Sequence, residues 1–212
     1  MDDGRAHVAE PSGPPAGGVL VVHDWYGRLP HVRQACDDLA EAGLLALAPD
    51  LYDGRTTTDP GEAERLMAAL EGGRARTRLA DATDELRART GGRRVGALGF
   101  SMGGMLVLEE ATRGKFDAVA AYYAALQPRE HPPIRCPVLL HLAEVDDWEP
   151  PDVPERFAAE LRAAGTEVET HTWPGTEHSF ANPDVPLHAP GPAAEAWVIT
   201  VGFLRRHLAT DP

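Results

Sequence analysis

Residues 95–104 read VGALGFSMGG, and they decide how the rest of the chain is arranged. The apolar first half predicts a buried strand, and the residues from Met102 onward predict a helix. Gly99 and Gly103 lie two positions before and two positions after Ser101. Because glycine has no Cβ atom, this spacing lets a strand and a helix approach closely around a strained residue. We therefore expect Ser101 to lie exposed above a sheet, near the positive end of the helix.

The Gly-x-Ser-x-Gly spacing is the nucleophile-elbow pattern of α/β-hydrolases. The pattern is short, and an ordinary glycine-rich turn between a strand and a helix also produces it. The context of Ser101 in the rest of the chain therefore has to decide between a nucleophile and a structural turn.

The composition describes an ordinary globular chain. It has 212 residues, of which 43% are hydrophobic and 25% are charged, so one domain is the simplest interpretation. The net charge of −13 argues against nucleic acid or an anionic membrane as a partner. No apolar run approaches the roughly 20 residues that span a bilayer, and residues 1–15 do not resemble a signal peptide. We expect a cytoplasmic protein with two reduced thiols, Cys36 and Cys136.

The remaining sequence predicts strands that alternate with helices. We expect an N-terminal segment over residues 1–17 with at most a short edge strand, followed by one domain over residues 18–209. Strands are predicted over 19–22, 44–48, 95–100, 116–123, 137–143 and 167–172, and helices over 30–43, 60–89 with a break, 154–165 and 193–208. This alternation predicts a mostly parallel central sheet with helices on both faces and no separate lid domain.

A serine nucleophile needs a histidine base and an acid, which in this fold follow it in the order acid, then histidine. Asp146 and Asp147 follow the strand predicted over 137–143, and His178 follows the strand predicted over 167–172. The carboxyl ends of such strands are where α/β folds place their ligand sites. The alternatives are a solvated acidic loop and a surface histidine, and physical reasoning alone does not separate Asp146 from Asp147.

His23 and His141 are the strongest rivals of His178, because both lie near predicted strand ends. Histidines in such places more often bind neighbouring loops through hydrogen bonds. The sequence shows no His-x-His or His-Glu-x-x-His spacing, so we expect neither a metal nor another cofactor.

Five motifs follow one another along the chain in the order found in one known family. The match extends from about Gly18 to Leu208. The motifs are His23-Asp24-Trp25-Tyr26-Gly27, Ala48-Pro49-Asp50-Leu51-Tyr52, Gly99-Phe100-Ser101-Met102-Gly103-Gly104, His141 with Asp146 five residues later, and Pro174-Gly175-Thr176-Glu177-His178-Ser179-Phe180. In these motifs the chain resembles the dienelactone hydrolase family.

The resemblance implies a single α/β-hydrolase domain without a metal that hydrolyses enol-lactones or small esters. It implies that Ser101 is the nucleophile, His178 the base and Asp146 the acid of a catalytic triad. It also implies an oxyanion hole formed by the backbone N–H groups of Trp25 and Met102.

Three departures from the family's pattern matter. Its best-known members have cysteine at the position of Ser101, and they commonly have glutamate at the position of Asp24, an acidic residue that faces the nucleophile. Members that act on dienelactone use an arginine shortly after the histidine, whereas Asn182 lies four residues after His178 here. The last departure argues against dienelactone itself as the substrate.

Residues near predicted strand ends are the candidates for substrate binding. They are Asp24, Tyr26, Arg28, Tyr52, Arg55, Tyr123, Trp148 and Phe180. Two hypotheses stand for Asp24: a carboxylate with a raised pKa that acts on the substrate or on Ser101, and a cap for the following turn. Arg28 and Arg55 are candidates for binding a substrate carboxylate, with solvated surface arginines as the alternative.

The sequence therefore predicts a hydrolase of small ester or lactone substrates that works through an acyl-enzyme. Its only expected partner is that small molecule, and we expect a monomer or small homo-oligomer. One alternative is a short-chain carboxylesterase or acyl thioesterase. The other is a non-hydrolytic ligand-binding or cyclising protein on the same scaffold, since a fold does not fix a function.

Overall fold

The computed structural model describes residues 5–127, 132–148, 150 and 152–209. The strands are β1 (Ala6–Ala9), β2 (Gly18–Val22), β3 (Leu45–Pro49), β4 (Val95–Phe100), β5 (Val119–Tyr122), β6 (Val138–Val145) and β7 (Val168–Glu177). The helices are α1 (Pro30–Glu41), α2 (Pro60–Ala68), α3 (Gly72–Arg89), α4 (Met102–Ala111), α5 (Asp152–Ala163) and α6 (Pro190–Leu208).

The strands form one sheet in the order β1-β3-β2-β4-β5-β6-β7. Only the pair β1 and β3 is antiparallel, and every other neighbouring pair is parallel. All residues of β2 and β4 are buried, as expected for strands that helices cover on both faces. The predicted α/β-hydrolase architecture, with a mostly parallel sheet inside a single domain, is confirmed.

Alternate residues of the central strands point into two separate cores. Leu20 and Val22 pack on the face that α2, α3, α4 and α5 cover, whereas Val19 and Val21 pack on the face that α1 and α6 cover. The period of two along a strand produces this division. The two cores hold the sheet rigidly, and the loops beyond its strand ends are thereby fixed in position.

The element boundaries differ from the predicted ones in a few places. The predicted break within 60–89 is confirmed, because α2 ends at Ala68 and α3 begins at Gly72. In the N-terminal segment, β1 pairs with β3 at the edge of the sheet, and residues 1–4 lie outside the described residues. Strand β7 continues to Glu177 rather than ending at residue 172, since it follows β6 through a register shift near Val145.

Cys36 and Cys136 are free thiols, and they lie in different cores. Within the described parts of the chain, no helix combines the length and the apolar character needed to cross a membrane.

Candidate active site

Ser101 is the single residue between β4 and α4, and its backbone is strained. Its φ of 50° and ψ of −116° lie where a residue with a side chain is rarely found. Hydrogen bonds on both sides hold this conformation: the Ser101 N–H donates to the Tyr122 carbonyl over 2.9 Å, and the Ser101 carbonyl accepts from the Met105 N–H over 3.0 Å. The side chain is thereby raised above the carboxyl edge of the sheet.

The glycines of this turn are needed for close backbone approach. A Cβ atom on Gly99 would collide with the backbone of Gly103, and one on Gly103 would collide with the carbonyl groups of Val22 and His23. A helix with ordinary side chains at these positions cannot begin this close to β2 and β4. The sequence-based interpretation of residues 95–104 as a tight elbow agrees with this geometry.

Ser101, His178 and Asp146 form one hydrogen-bonded line. Ser101 Oγ lies 2.8 Å from His178 Nε2, and His178 Nδ1 lies 2.9 Å and 2.8 Å from the two carboxylate oxygens of Asp146. Because a carboxylate only accepts, it favours the tautomer with the proton on Nδ1, which leaves Nε2 to accept from the Ser101 hydroxyl. Asp147 is exposed instead, so the geometry separates the two neighbouring aspartates.

Asp146 and His178 each follow the end of a strand. Asp146 comes directly after β6, and His178 comes directly after β7, its neighbour in the sheet. The extension of β7 to Glu177 is what brings His178 level with Asp146. Both side chains are largely buried, so water does not compete freely for their hydrogen bonds.

His23 lies outside this line and is bound to its surroundings at both ring nitrogens. Its Nδ1 lies 2.6 Å from the Asp24 carbonyl oxygen, and its Nε2 accepts from the Leu51 N–H over 3.2 Å. Complete burial lowers the pKa of His23 to about 4. These contacts place His23 in a structural role, between β2 and the loop after β3.

His141 is likewise buried and bound. Trp173 Nε1 donates to its Nδ1 over 3.1 Å, and its Nε2 lies 3.0 Å from Thr200 Oγ1. Burial, with a smaller contribution from the nearby His171, lowers the pKa of His141 to about 3. The two rival histidines are therefore neutral core groups that join the sheet to its loops and to α6.

A cavity of about 210 Å³ opens beside Ser101 and His178. Six further residues form its wall: Trp25, Met67, Met102, Met105, Tyr123 and Trp148. The rings of Trp25 and Trp148 meet edge to face with centroids 4.8 Å apart, and Trp148 is 59% exposed at the rim. The arrangement is an apolar recess with a nucleophile-like hydroxyl at its base.

Met67 and Met105 are the wall residues that the sequence interpretation did not include. Met105 lies three positions after Met102 and therefore on the same side of α4. The helical period could thus have identified Met105 as a wall residue from the sequence. Met67 comes from α2, and no local pattern in the sequence connects that helix with Ser101.

Several predicted substrate-binding residues do not line this cavity. They are Asp24, Tyr26, Arg28, Tyr52, Arg55 and Phe180. Some support it from behind: Tyr52 donates its hydroxyl to the Met102 sulfur over 3.3 Å, and the buried Phe180 ring packs on Tyr123 with centroids 5.6 Å apart. Arg28 is buried, whereas Arg55 lies on the surface, 3.0 Å from the Glu62 carboxylate.

Asp24 is completely buried, and both of its carboxylate oxygens accept hydrogen bonds. The Tyr26 N–H donates to Oδ1 over 2.8 Å, and the Asn182 side-chain amide donates to Oδ2 over 2.9 Å. The first bond is the turn cap that the sequence allowed as one hypothesis. Burial raises the pKa of Asp24, as the other hypothesis required, but the carboxylate is directed at the protein and not at the cavity.

Comparison with known proteins agrees with this architecture. The chain is 31% identical to "Protein usf" of Aquifex pyrophilus over 96% of its own length and 94% of that protein. It is 30% identical to the "Putative carboxymethylenebutenolidase" of Aquifex aeolicus, with coverage of 96% and 94%. The solved "Putative Dienelactone Hydrolase" of Klebsiella pneumoniae superposes with a TM-score of 0.83 at 25% identity, covering 95% of this chain and 92% of that one. Residues 5–208 match the model of the dienelactone hydrolase family, and the chain belongs to that family.

Proposed function

We propose that the chain hydrolyses small esters and lactones with Ser101 as nucleophile, His178 as general base and Asp146 as the orienting acid. The observation that carries this proposal is the hydrogen-bonded line from Asp146 through His178 to Ser101, which ends at an open cavity. Membership of a hydrolase family and relatives named for a lactone-opening activity support it.

The acylation step follows from the tautomer of His178. Ser101 Oγ attacks the substrate carbonyl carbon while its proton passes to His178 Nε2, and Asp146 stabilises the resulting imidazolium through Nδ1. The tetrahedral intermediate then collapses, and the proton on Nε2 passes to the departing alkoxide. A serine hydroxyl, unlike a cysteine thiol, needs this complete removal of its proton, so the interaction between His178 and Asp146 is essential.

The backbone N–H groups of Trp25 and Met102 are proposed to bind the oxyanion. Both residues line the cavity beside Ser101, and Met102 begins α4, where the first N–H groups lack acceptors within the helix. Such a donor contributes about 3 kcal/mol to the transition state in comparable sites. The Asp24 cap fixes the turn that carries Trp25 and so positions one of the two donors.

Deacylation repeats the same steps with water in place of the hydroxyl. His178 removes a proton from water, the hydroxide attacks the ester carbon of the acyl-enzyme, and Ser101 leaves after it takes the proton back. The product is a carboxylic acid. When the substrate is a lactone, the alcohol released in the first step stays attached to the acyl group, so one hydroxy acid is formed.

The test is pre-steady-state hydrolysis of 4-nitrophenyl acetate. We expect wild-type protein to release 4-nitrophenol from its active sites in an initial burst, and Ser101→Ala to lose at least about 1,000-fold in kcat while remaining folded. Ser12→Ala, at an exposed serine, is the matched control and retains wild-type turnover. Turnover by Ser101→Ala at the wild-type rate would contradict the proposal. A folded wild-type protein that turns over neither esters nor lactones would favour the non-hydrolytic alternative.

A further inference from the structure

We propose that the cavity beside Ser101 selects uncharged, apolar acyl groups and rejects acyl groups that carry a carboxylate. This inference rests on the proposed function, because it concerns the group that stays attached to Ser101 between the two half-reactions. That acyl group has to occupy the space next to Ser101, which is the cavity of about 210 Å³. The chemistry of the cavity wall therefore selects it.

The methionines of the chain converge on this cavity. Apart from Met1, every methionine in the sequence contributes to the wall: Met67 from α2, and Met102 and Met105 from α4. A thioether side chain is flexible and polarisable, so it adapts to apolar groups of different shape. It offers only a weak acceptor and no donor, and a carboxylate gains no hydrogen bond from it.

Aromatic rings form the rest of the wall. Trp25 and Trp148 pack against each other, and the Tyr123 ring contacts the His178 ring, with centroids 5.0 Å apart. Rings of this kind shield from water an acyl chain that lies against them. A carboxylate that moved there from water would lose part of its hydration, and no lysine or arginine among the described wall residues would compensate for that loss.

The charges around the cavity favour the same selection. No lysine or arginine is present among the described residues that line it. Behind Tyr123 and Asp146 lies a second cavity of about 190 Å³, whose wall includes Glu144 and Glu155. The two cavities share Tyr123, so the charged groups on that side of the site are carboxylates, and they disfavour a substrate carboxylate. In this respect the site does not suit the carboxylate-bearing lactone for which the relatives are named.

The experiment compares dimethyl glutarate with monomethyl glutarate at pH 7.5 in a pH-stat. The two esters differ by one methyl group, but only the second carries a carboxylate. We expect kcat/KM to be on the order of a hundredfold higher for the diester, far more than the factor of about two that its second ester group supplies. Similar values of kcat/KM for the two esters would overturn the inference while leaving the proposed function intact. Failure of wild-type protein to hydrolyse either glutarate or 4-nitrophenyl acetate would instead overturn the proposed function.

A charge added to the wall provides the complementary test. Met105 is 41% exposed, so Met105→Arg can extend its guanidinium to the mouth of the cavity without being buried. We expect this variant to lower the preference for the diester by at least about tenfold, because the guanidinium pairs with the carboxylate of the monoester. Met105→Leu is the uncharged control and keeps the wild-type preference. An unchanged preference in a folded Met105→Arg protein contradicts the inference, and Met67→Arg repeats the test from α2.

Discussion

Asn182 donates its side-chain amide to Asp24 Oδ2 over 2.9 Å, and both residues are completely buried. The bond ties the loop after His178 to the turn after β2, which carries Trp25. Asn182 also accepts, since the Asp184 N–H donates to its Oδ1 over 2.9 Å. The position where the resemblance suggested a substrate-binding arginine thus holds an internal clamp between two loops of the candidate active site.

The clamp predicts a combined effect of Asn182→Ala on stability and rate. The substitution leaves a buried carboxylate oxygen of Asp24 without its donor, so the free energy of unfolding falls by about 1–3 kcal/mol. We expect kcat to fall more than KM rises, because the displaced turn carries the proposed Trp25 oxyanion donor. Urea unfolding and ester kinetics measure the two effects. The control is Gln34→Ala, which removes an exposed side-chain amide that donates to Asp38. An Asn182→Ala protein as stable as the Gln34→Ala protein would contradict the clamp.

The elbow predicts opposite effects for two glycine substitutions. In Gly103→Ala the new methyl group meets the backbone carbonyls of Val22 and His23, and we expect a loss of at least about 3 kcal/mol in the free energy of unfolding. Gly202→Ala places its methyl group in open space on α6 and stabilises the protein by roughly 0.5–1 kcal/mol. Thermal unfolding of the two variants compares them. A Gly103→Ala protein as stable as wild type would show that the close approach of α4 to β2 is not needed.

The buried His141 predicts a loss of stability in acid. Its pKa is lowered to about 3 in the folded protein, against 6.5 for the ordinary group, so between these pH values only the unfolded chain binds the proton. The free energy of unfolding therefore decreases as the pH falls below about 6.5, by about 1.4 kcal/mol per pH unit from this group, and it loses nothing further below about pH 3. Above that range His141 is neutral in both states and contributes no pH dependence.

His141→Asn tests this linkage through the slope and not through the absolute stability. We expect the variant to show a shallower dependence of unfolding free energy on pH between about pH 4 and 6, by up to about 1.4 kcal/mol per unit. Urea titrations at several pH values give the slope for both proteins. Equal slopes would mean that His141 is protonated in the folded protein or that its pKa is close to the ordinary value.

Local signals were sufficient to predict most of the architecture. The glycines around Ser101 act within a few residues, and buried parallel strands read as continuous apolar runs, so both features are visible in the sequence. The position where β7 ends could not be predicted from the sequence, because Pro174 and Gly175 locally favour a turn. Pairing with β6 overrides that preference, and an edge strand tolerates proline since one side of its backbone has no neighbour.

The candidate site was predictable as far as chain order reaches. The order of the strand ends along the chain predicts a serine, then an aspartate, then a histidine. The choice of Asp146 over Asp147 requires the direction of each side chain. Contacts between elements that are distant in sequence could not be predicted in this way. The contribution of Met67 and the surface pairing of Arg55 with Glu62 depend on where α2 docks, which no local pattern encodes.

Mass spectrometry after exposure to a fluorophosphonate tests whether His178 activates Ser101 as a nucleophile. Activation of Ser101 by His178 predicts one covalent adduct on wild-type protein, located on the peptide that contains Ser101. It predicts no adduct on Ser101→Ala and labelling at least about 1,000-fold slower on His178→Ala. Labelling of His178→Ala at the wild-type rate, or a well-folded wild-type protein that remains unlabelled, would contradict it.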